Sequence, residues 1–148
     1  MGYAALICAL FIAILPRRLK FPFAFILSLN ASGDLGLYEL YRYGFEYDKV
    51  IHFISPLIVT IAFTKILGLR RAMLIVVAGV LSWELYEFLA DTFLKTHLFG
   101  VYRHQVFKDT VTDLIMNALG ITSAIFIFLL RYQHYDRSGN INQSRGAF

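Results

Sequence analysis

Three short stretches carry residues able to hold a cation or move a proton. YDKVIHF places Asp48 and His52 four residues apart, WELYEFLAD places Glu84, Glu87 and Asp91 at i, i+3 and i+7, and KDTVTDLIMNALG steps Asp109, Asp113 and Asn117 by four. Spacings of three and four put side chains on one face of a helix, so each stretch presents its polar groups as a stripe. One imidazole with several carboxylates is a ligand set for a divalent cation. Oxygen-rich ligation suits Mg²⁺ or Mn²⁺, and His with carboxylates also suits Zn²⁺ or Fe²⁺. Such a metal would neutralise the crowded acids and activate water at neutral pH. Without it, crowded carboxylates share protons, which serves general acid–base chemistry or a proton relay.

The surroundings of these stretches decide how to read them. The chain has 148 residues, is 58% hydrophobic and carries a formal net charge of +4, with a mean hydropathy of +0.62. That is too apolar for an ordinary soluble domain of this size. Windows such as 53–64 and 72–83 hold no charge at all, as in a polytopic membrane protein. Five apolar segments stand out: Tyr3–Leu15, Phe21–Ala31, Lys49–Leu67, Ala72–Ala90 and Thr112–Leu130. The last three have the ~20 residues needed to span ~30 Å of hydrocarbon. The first two are short, with Pro16 between them and Gly33 and Gly36 after the second, so they either span with a tilt or pair as a re-entrant hairpin. The expected fold is all-α: a polytopic integral membrane bundle of about five transmembrane helices over 1–131, then a polar, disordered cytoplasmic tail over 132–148.

Charge sets the orientation. With five spans, one side collects Arg17, Arg18, Lys20, Lys65, Arg70, Arg71, Arg131, Arg137 and Arg145, nine of the fourteen Lys and Arg, against Asp136 alone. The positive-inside rule makes that side cytoplasmic, with the N-terminus outside, the C-terminus inside and the protein in the cell (inner, cytoplasmic) membrane. The run Tyr3–Leu15 precedes its basic residues, PRRLK, in the reverse of a secretory signal, so it reads as a retained helix. The basic residues serve topology, which excludes nucleic acid as a partner. A single cysteine, Cys8, allows neither a disulfide framework nor a thiolate cage within one chain. No phosphate loop, nucleophile elbow or HExxH motif occurs.

In this topology all three polar stripes lie at the outer ends of their helices. A charged side chain in a bilayer costs roughly 2.5–3.5 kcal/mol and normally faces a bundle interior or an aqueous cavity. Glu84 lies about 10 Å below Asp91 along the helix axis, so a shared, outward-facing polar cavity must receive it. His52, Glu84, Glu87 and Asp113 each sit a turn or more inside an apolar helix and are the expected metal-binding or acid–base residues. Asp48, Lys49, Asp109 and Asn117 are expected to support them. Each supporting residue also has a structural reading. Asp48 and Asp109 suit helix caps or first turns, Lys49 suits snorkelling or pairing with an acid, and Asn117 with Gly120 and Ala124 suits close helix packing. Asp91 reads as interfacial, and the tyrosine-rich stretch 38–48 as an aromatic belt. Arg103, His104 and Lys108 in the outer loop fit either a phosphate contact or ordinary interfacial charge.

These motifs resemble those of the YjdF-like inner-membrane proteins, which carry a D-K-x-x-H-F element, an E-x-x-E element and a D-x-x-x-D element with a later glycine. In this chain the pattern falls on Asp48, Lys49, His52, Phe53, Glu84, Glu87, Asp109, Asp113 and Gly120, within Tyr47 to Leu130. A looser similarity extends to VanZ-like proteins through D-K-x-x-H, a membrane glutamate and D-x-x-x-N-x-x-G, here Asp113, Asn117 and Gly120. The chain departs from them at Glu87, where that pattern has glutamine, so antibiotic resistance is not carried over. The resemblance implies a multi-helix membrane fold and names no substrate. The leading expectation is a metal-dependent enzyme acting on a lipid head group or lipid-linked envelope substrate, with membrane lipids as its surroundings. The alternatives are a non-enzymatic lipid-binding or proton- or cation-coupled protein, or a structural subunit of a membrane assembly. The inner halves of the last three segments, LIVTIAF, AMLIVVAGV and ITSAIFIFLL, are almost wholly apolar, which argues against a path through the membrane.

Overall fold

A computed structural model describes residues 10–94 and 106–145, and their side chains apart from those of Tyr41 and 133–145. Every element in it is helical. Residues 10–14 are helical. Helix α1 spans Arg17–Asp34, and a 3₁₀ segment, Leu37–Tyr43, follows. Helix α2 spans Tyr47–Leu67. Helix α3 spans Leu69–Leu89 and runs on into a π-helical turn, Ala90–Leu94. Helix α4 spans Val106–Arg145.

Three stretches are long and apolar enough to cross a membrane: Tyr47–Leu67, Leu69–Leu94 and Val106–Tyr132. They correspond to the last three apolar segments of the sequence. The count among the described residues is thus three, against the five expected. Helix α1 falls short because its 18 residues include Arg17, Arg18, Lys20 and Asp34 along with Ser28, Asn30 and Ser32. The last three bond back into the helix, onto the carbonyls of Ala24, Ile26 and Ser28. Most of Tyr3–Leu15 lies outside the described residues. The polar stretch expected to be irregular from residue 132 is helical as far as Arg145. It contains no proline, and its one glycine, Gly139, costs a helix only about 1 kcal/mol.

Large apolar side chains point outward along the spans: Leu74, Ile75, Leu81 and Leu85 on α3, Ile115, Leu119 and Phe126 on α4. A water-soluble protein rarely exposes so continuous an apolar surface, whereas a bilayer requires it.

The turn between α2 and α3 sets the depth of the polar residues. Gly68 alone joins the two helices, with φ 77° and its N–H bonded to the Thr64 carbonyl. That positive φ favours glycine. So short a link folds α2 and α3 into an antiparallel pair. His52 lies sixteen residues before Gly68 and Glu84 sixteen after it, so the hairpin brings them to the same level.

Helix α4 closes on α2 through small residues. A Cβ at Gly120 would meet the Phe53 carbonyl oxygen and Pro56 Cγ, and Ala124, one turn on, is buried. Gly120→Ala is therefore expected to destabilise the bundle. Alanine gains about 1 kcal/mol of helix propensity, but overpacking against backbone costs typically 1–3 kcal/mol. Thermal unfolding in detergent checks the sign, and a melting point at or above wild type would refute the close approach. Helix α1 lies antiparallel to α2. The Phe23 ring packs 6.2 Å from Phe63, and the Tyr47 hydroxyl donates to the Leu29 carbonyl at 3.1 Å.

Candidate functional site

All eight residues expected at the site meet between α2, α3 and α4. Helical period is the cause. The buried residues of α2 include Asp48, His52, Pro56 and Thr60, those of α3 include Glu84 and Glu87, and those of α4 include Asp113, Asn117, Ile121 and Ala124. Each is a single stripe turned toward the other two helices.

His52 is the centre, with a different set of partners on each ring nitrogen. On one side Nε2 lies 3.3 Å from Asp48 Oδ1 and 3.9 Å from Asp113 Oδ1. On the other, Nδ1 lies 2.9 Å from Glu84 Oε1 and 3.1 Å from Asn117 Nδ2. Asn117 Nδ2 also donates to Glu84 Oε1 at 2.6 Å. Pro56, one turn along α2, lacks the N–H that the His52 carbonyl would otherwise accept in a regular helix.

Lys49 holds the outer edge. Its ammonium donates to Asp109 Oδ1 at 2.5 Å and Asp113 Oδ1 at 2.7 Å, and lies 3.4 Å from Asp48 Oδ2. Lys49 therefore pairs with acids, one of the two readings of the sequence, and it does so inside the cluster. Asp48 and Asp109 do lie in first helical turns, but neither is the cap. The residue at the N-cap of α2 is Glu46, which makes no capping bond, and both aspartates turn to Lys49 instead. Asp91, read as interfacial, is buried at 5% exposure, within the π-helical turn Ala90–Leu94.

Two ligand sets emerge. Asp48, His52 and Asp113 form one, and His52, Glu84 and Glu87 the other, with donor atoms of each set within 4.8 Å of one another. They differ in what already neutralises them. The first set has Lys49 on two of its members. In the second, Glu87 Oε2 is buried with no hydrogen-bond partner among the described residues. Five carboxylates thus surround two side chains able to carry positive charge, and the shortfall lies on the Glu84–Glu87 side.

One tyrosine of the stretch 38–48, which the sequence offers as an aromatic belt or a substrate contact, lies at the edge of the site. Tyr38, in the 3₁₀ segment, packs edge-on against Tyr47 at 5.8 Å and lies over Gly33, where a Cβ would run into its ring. Burial pushes its phenol well above the ordinary tyrosine range, and the charges of Asp48, Asp34 and Glu87 add to this. The hydroxyl stays protonated and able to donate. The only sequence signal was a glycine five residues ahead of a tyrosine, too common a pattern to read. Of the three basic residues expected in a loop, Arg103 and His104 lie outside the described residues, and Lys108 is exposed in the first turn of α4.

The pattern of the family described as "Predicted membrane protein (DUF2238)" matches residues 2–135. No curated protein and no solved structure matches the chain.

Proposed function

The chain belongs to the DUF2238 family of predicted membrane proteins, and from that premise and the geometry of the cluster we propose that it binds one divalent cation through His52, Glu84 and Glu87. It uses that cation as a metal-dependent enzyme on a lipid head group or lipid-linked envelope substrate.

The observation that carries this reading is the triangle of His52 Nδ1, Glu84 Oε1 and Asn117 Nδ2, with sides of 2.9, 2.6 and 3.1 Å. With Glu84 ionised, protons alone satisfy it poorly. If Nδ1 carries hydrogen for Glu84, the Asn117 amide meets a second donor. If Nδ1 is bare, its lone pair faces a carboxylate oxygen. A cation beside Nδ1 and Oε1 resolves the conflict and gives the orphaned Glu87 Oε2 a partner. Rotating the Asn117 amide by half a turn would bring its acceptor oxygen to the same point. With Nδ1 committed to the cation, Nε2–H donates to Asp48, the carboxylate–histidine arrangement that orients metal-bound imidazoles.

One nitrogen and two carboxylates suit Mn²⁺, Fe²⁺ or Zn²⁺ better than Mg²⁺, which favours all-oxygen sites. The bound ion would supply Lewis-acid polarisation of a phosphoryl or carbonyl oxygen and an activated water. The chain's own residues do the rest. Asp48 orients His52, Asn117 orients Glu84, Lys49 fixes Asp113, and Tyr38 offers a neutral donor at the edge.

The topology we infer has five spans, the N-terminus outside, the C-terminus inside and the cluster opening to the outer face of the cytoplasmic membrane. Arg18 and Lys65 line one groove at the end of α2 away from His52, and Arg70 and Arg71 start α3 at that same end, as the positive-inside rule asks. The resemblance to YjdF-like inner-membrane proteins points to the same membrane. Beyond His52 toward that end, the buried polar groups among the described residues include the Ser55 and Thr60 hydroxyls, and no charged side chain is buried there. This favours a one-sided site over ion passage.

The test is elemental mass spectrometry on the full chain, purified in detergent without a His tag. Wild type should carry about one equivalent of a divalent metal and His52→Ala none. A folded wild type that stays empty after incubation with Mn²⁺ and Zn²⁺ rejects the metal reading. Metal-loaded protein that releases nothing from lipid phosphates or lipid-linked sugars rejects the enzymatic one.

A further inference from the structure

We propose that the groove between α1 and α2, at the end opposite the cluster, binds an anionic phospholipid, with its phosphate on Arg18 and Lys65 and an acyl chain along Phe21, Pro22, Phe25 and Ile61. This inference does not rest on the metal reading. Lys65 is thirteen residues from His52 along α2, about 20 Å away.

All six side chains line the same groove. Its walls are apolar, and its two charged members are both cations. Among the described residues neither Arg18 nor Lys65 pairs with an acid, and no acidic side chain lines the groove. Lys20, one turn from the groove, differs in that its ammonium is already taken by the Ala13 carbonyl at 2.9 Å.

Local sequence makes the groove. Pro22 lies inside α1, where its ring and missing N–H disturb the helix against which α2 would otherwise pack. Ala62 forms a small, buried floor on α2. Phe21 is 79% exposed, and its ring stacks with Phe25 at 6.4 Å, so the pair forms a wall facing hydrocarbon.

The walls choose the ligand. A free phosphate ion would satisfy the two cations but leave those apolar walls uncovered. A zwitterionic lipid brings its own cation to Arg18 and Lys65. An anionic phospholipid matches both parts, as in basic pockets between helices on the cytoplasmic side.

Native mass spectrometry of the full-length protein, titrated in detergent with phosphatidylglycerol or phosphatidylcholine, tests this. Wild type should bind phosphatidylglycerol about thirtyfold more tightly than phosphatidylcholine, two basic contacts being involved. Arg18→Gln/Lys65→Gln should abolish that preference, while Arg70→Gln/Arg71→Gln, which removes equal charge from α3, should keep it. Lys65→Gln alone should lower the preference about fivefold and serves if the double variant does not fold. An unchanged preference in the groove variants overturns the proposal. So does equal loss in both pairs, which would mean diffuse charge. Displacement of phosphatidylglycerol by millimolar inorganic phosphate overturns it as well, in favour of a free-anion site.

Discussion

Glu84→Gln is expected to eliminate stoichiometric binding of a divalent cation, and Asp48→Asn to weaken it about 10- to 100-fold. Glu84 is buried, with Oε1 against both His52 Nδ1 and Asn117 Nδ2. Glutamine keeps its shape and can still accept from Asn117, but it loses the charge and the second carboxylate oxygen. Asp48 lies on the far side of the imidazole, 3.3 Å from Nε2. The amide introduced by Asp48→Asn would still hold the ring while accepting its proton less strongly. Calorimetric titration with Mn²⁺ gives both affinities. Stability gives an independent readout, because a ligand at a hundred times its Kd stabilises the native state by about 2.7 kcal/mol. Mn²⁺ should therefore raise the unfolding temperature of wild type and leave that of Glu84→Gln unmoved. Removing one of the crowded acids should also make metal-free Glu84→Gln more stable than metal-free wild type. If Glu84→Gln binds Mn²⁺ as wild type does, Glu84 is no ligand.

Most of this site could be read from spacing because α-helical period is a strong constraint. Once residues 49–67, 72–90 and 112–130 are helices, the steps Asp48–His52, Glu84–Glu87 and Asp113–Asn117 must each share a face. An apolar environment leaves those faces only one another to meet. What spacing does not give is the pairing across helices. Lys49 follows Asp48 directly, and adjacent residues do not share a helix face. Its place on Asp109 and Asp113 comes from α4, sixty residues further on. The π-turn over Ala90–Leu94, one extra residue in a turn, is not announced by its sequence either. Tyr38 depends on a 3₁₀ segment folding back over Gly33. The number of spans was legible only where apolar runs reach full length. Helix α1 mixes three cations, an internal proline and three small polar residues, which interrupt the apolar run by which a span is read from sequence.

Lys49→Met is expected to be the most destabilising single change at the site while leaving cation binding intact. The lysine side chain is 13% exposed and serves three carboxylates. Its removal leaves Asp109 and Asp113 facing each other without a counter-ion. Breaking a buried ion pair from one side costs about 3–5 kcal/mol, on the order of a 10 °C fall in unfolding temperature for a chain of this size. The pair Arg42–Glu39 provides a control, since it is as short, at 2.6 Å, but its side chains are 64% and 59% exposed. Arg42→Gln should cost no more than about 1 kcal/mol, so burial rather than distance sets the difference. Lys49→Met/Asp109→Asn should recover part of the loss by removing one uncompensated charge. Binding should move the other way from stability, because the Lys49 ammonium bonds to Asp48, Asp109 and Asp113 rather than to His52, Glu84 or Glu87 and competes with any cation at Asp113. Mn²⁺ should thus rescue more of the lost melting temperature in Lys49→Met than it adds to wild type. A Lys49→Met protein that loses the metal while keeping its stability would reverse the roles assigned to the two sides of His52, placing the binding chemistry with Asp48, Lys49 and Asp113.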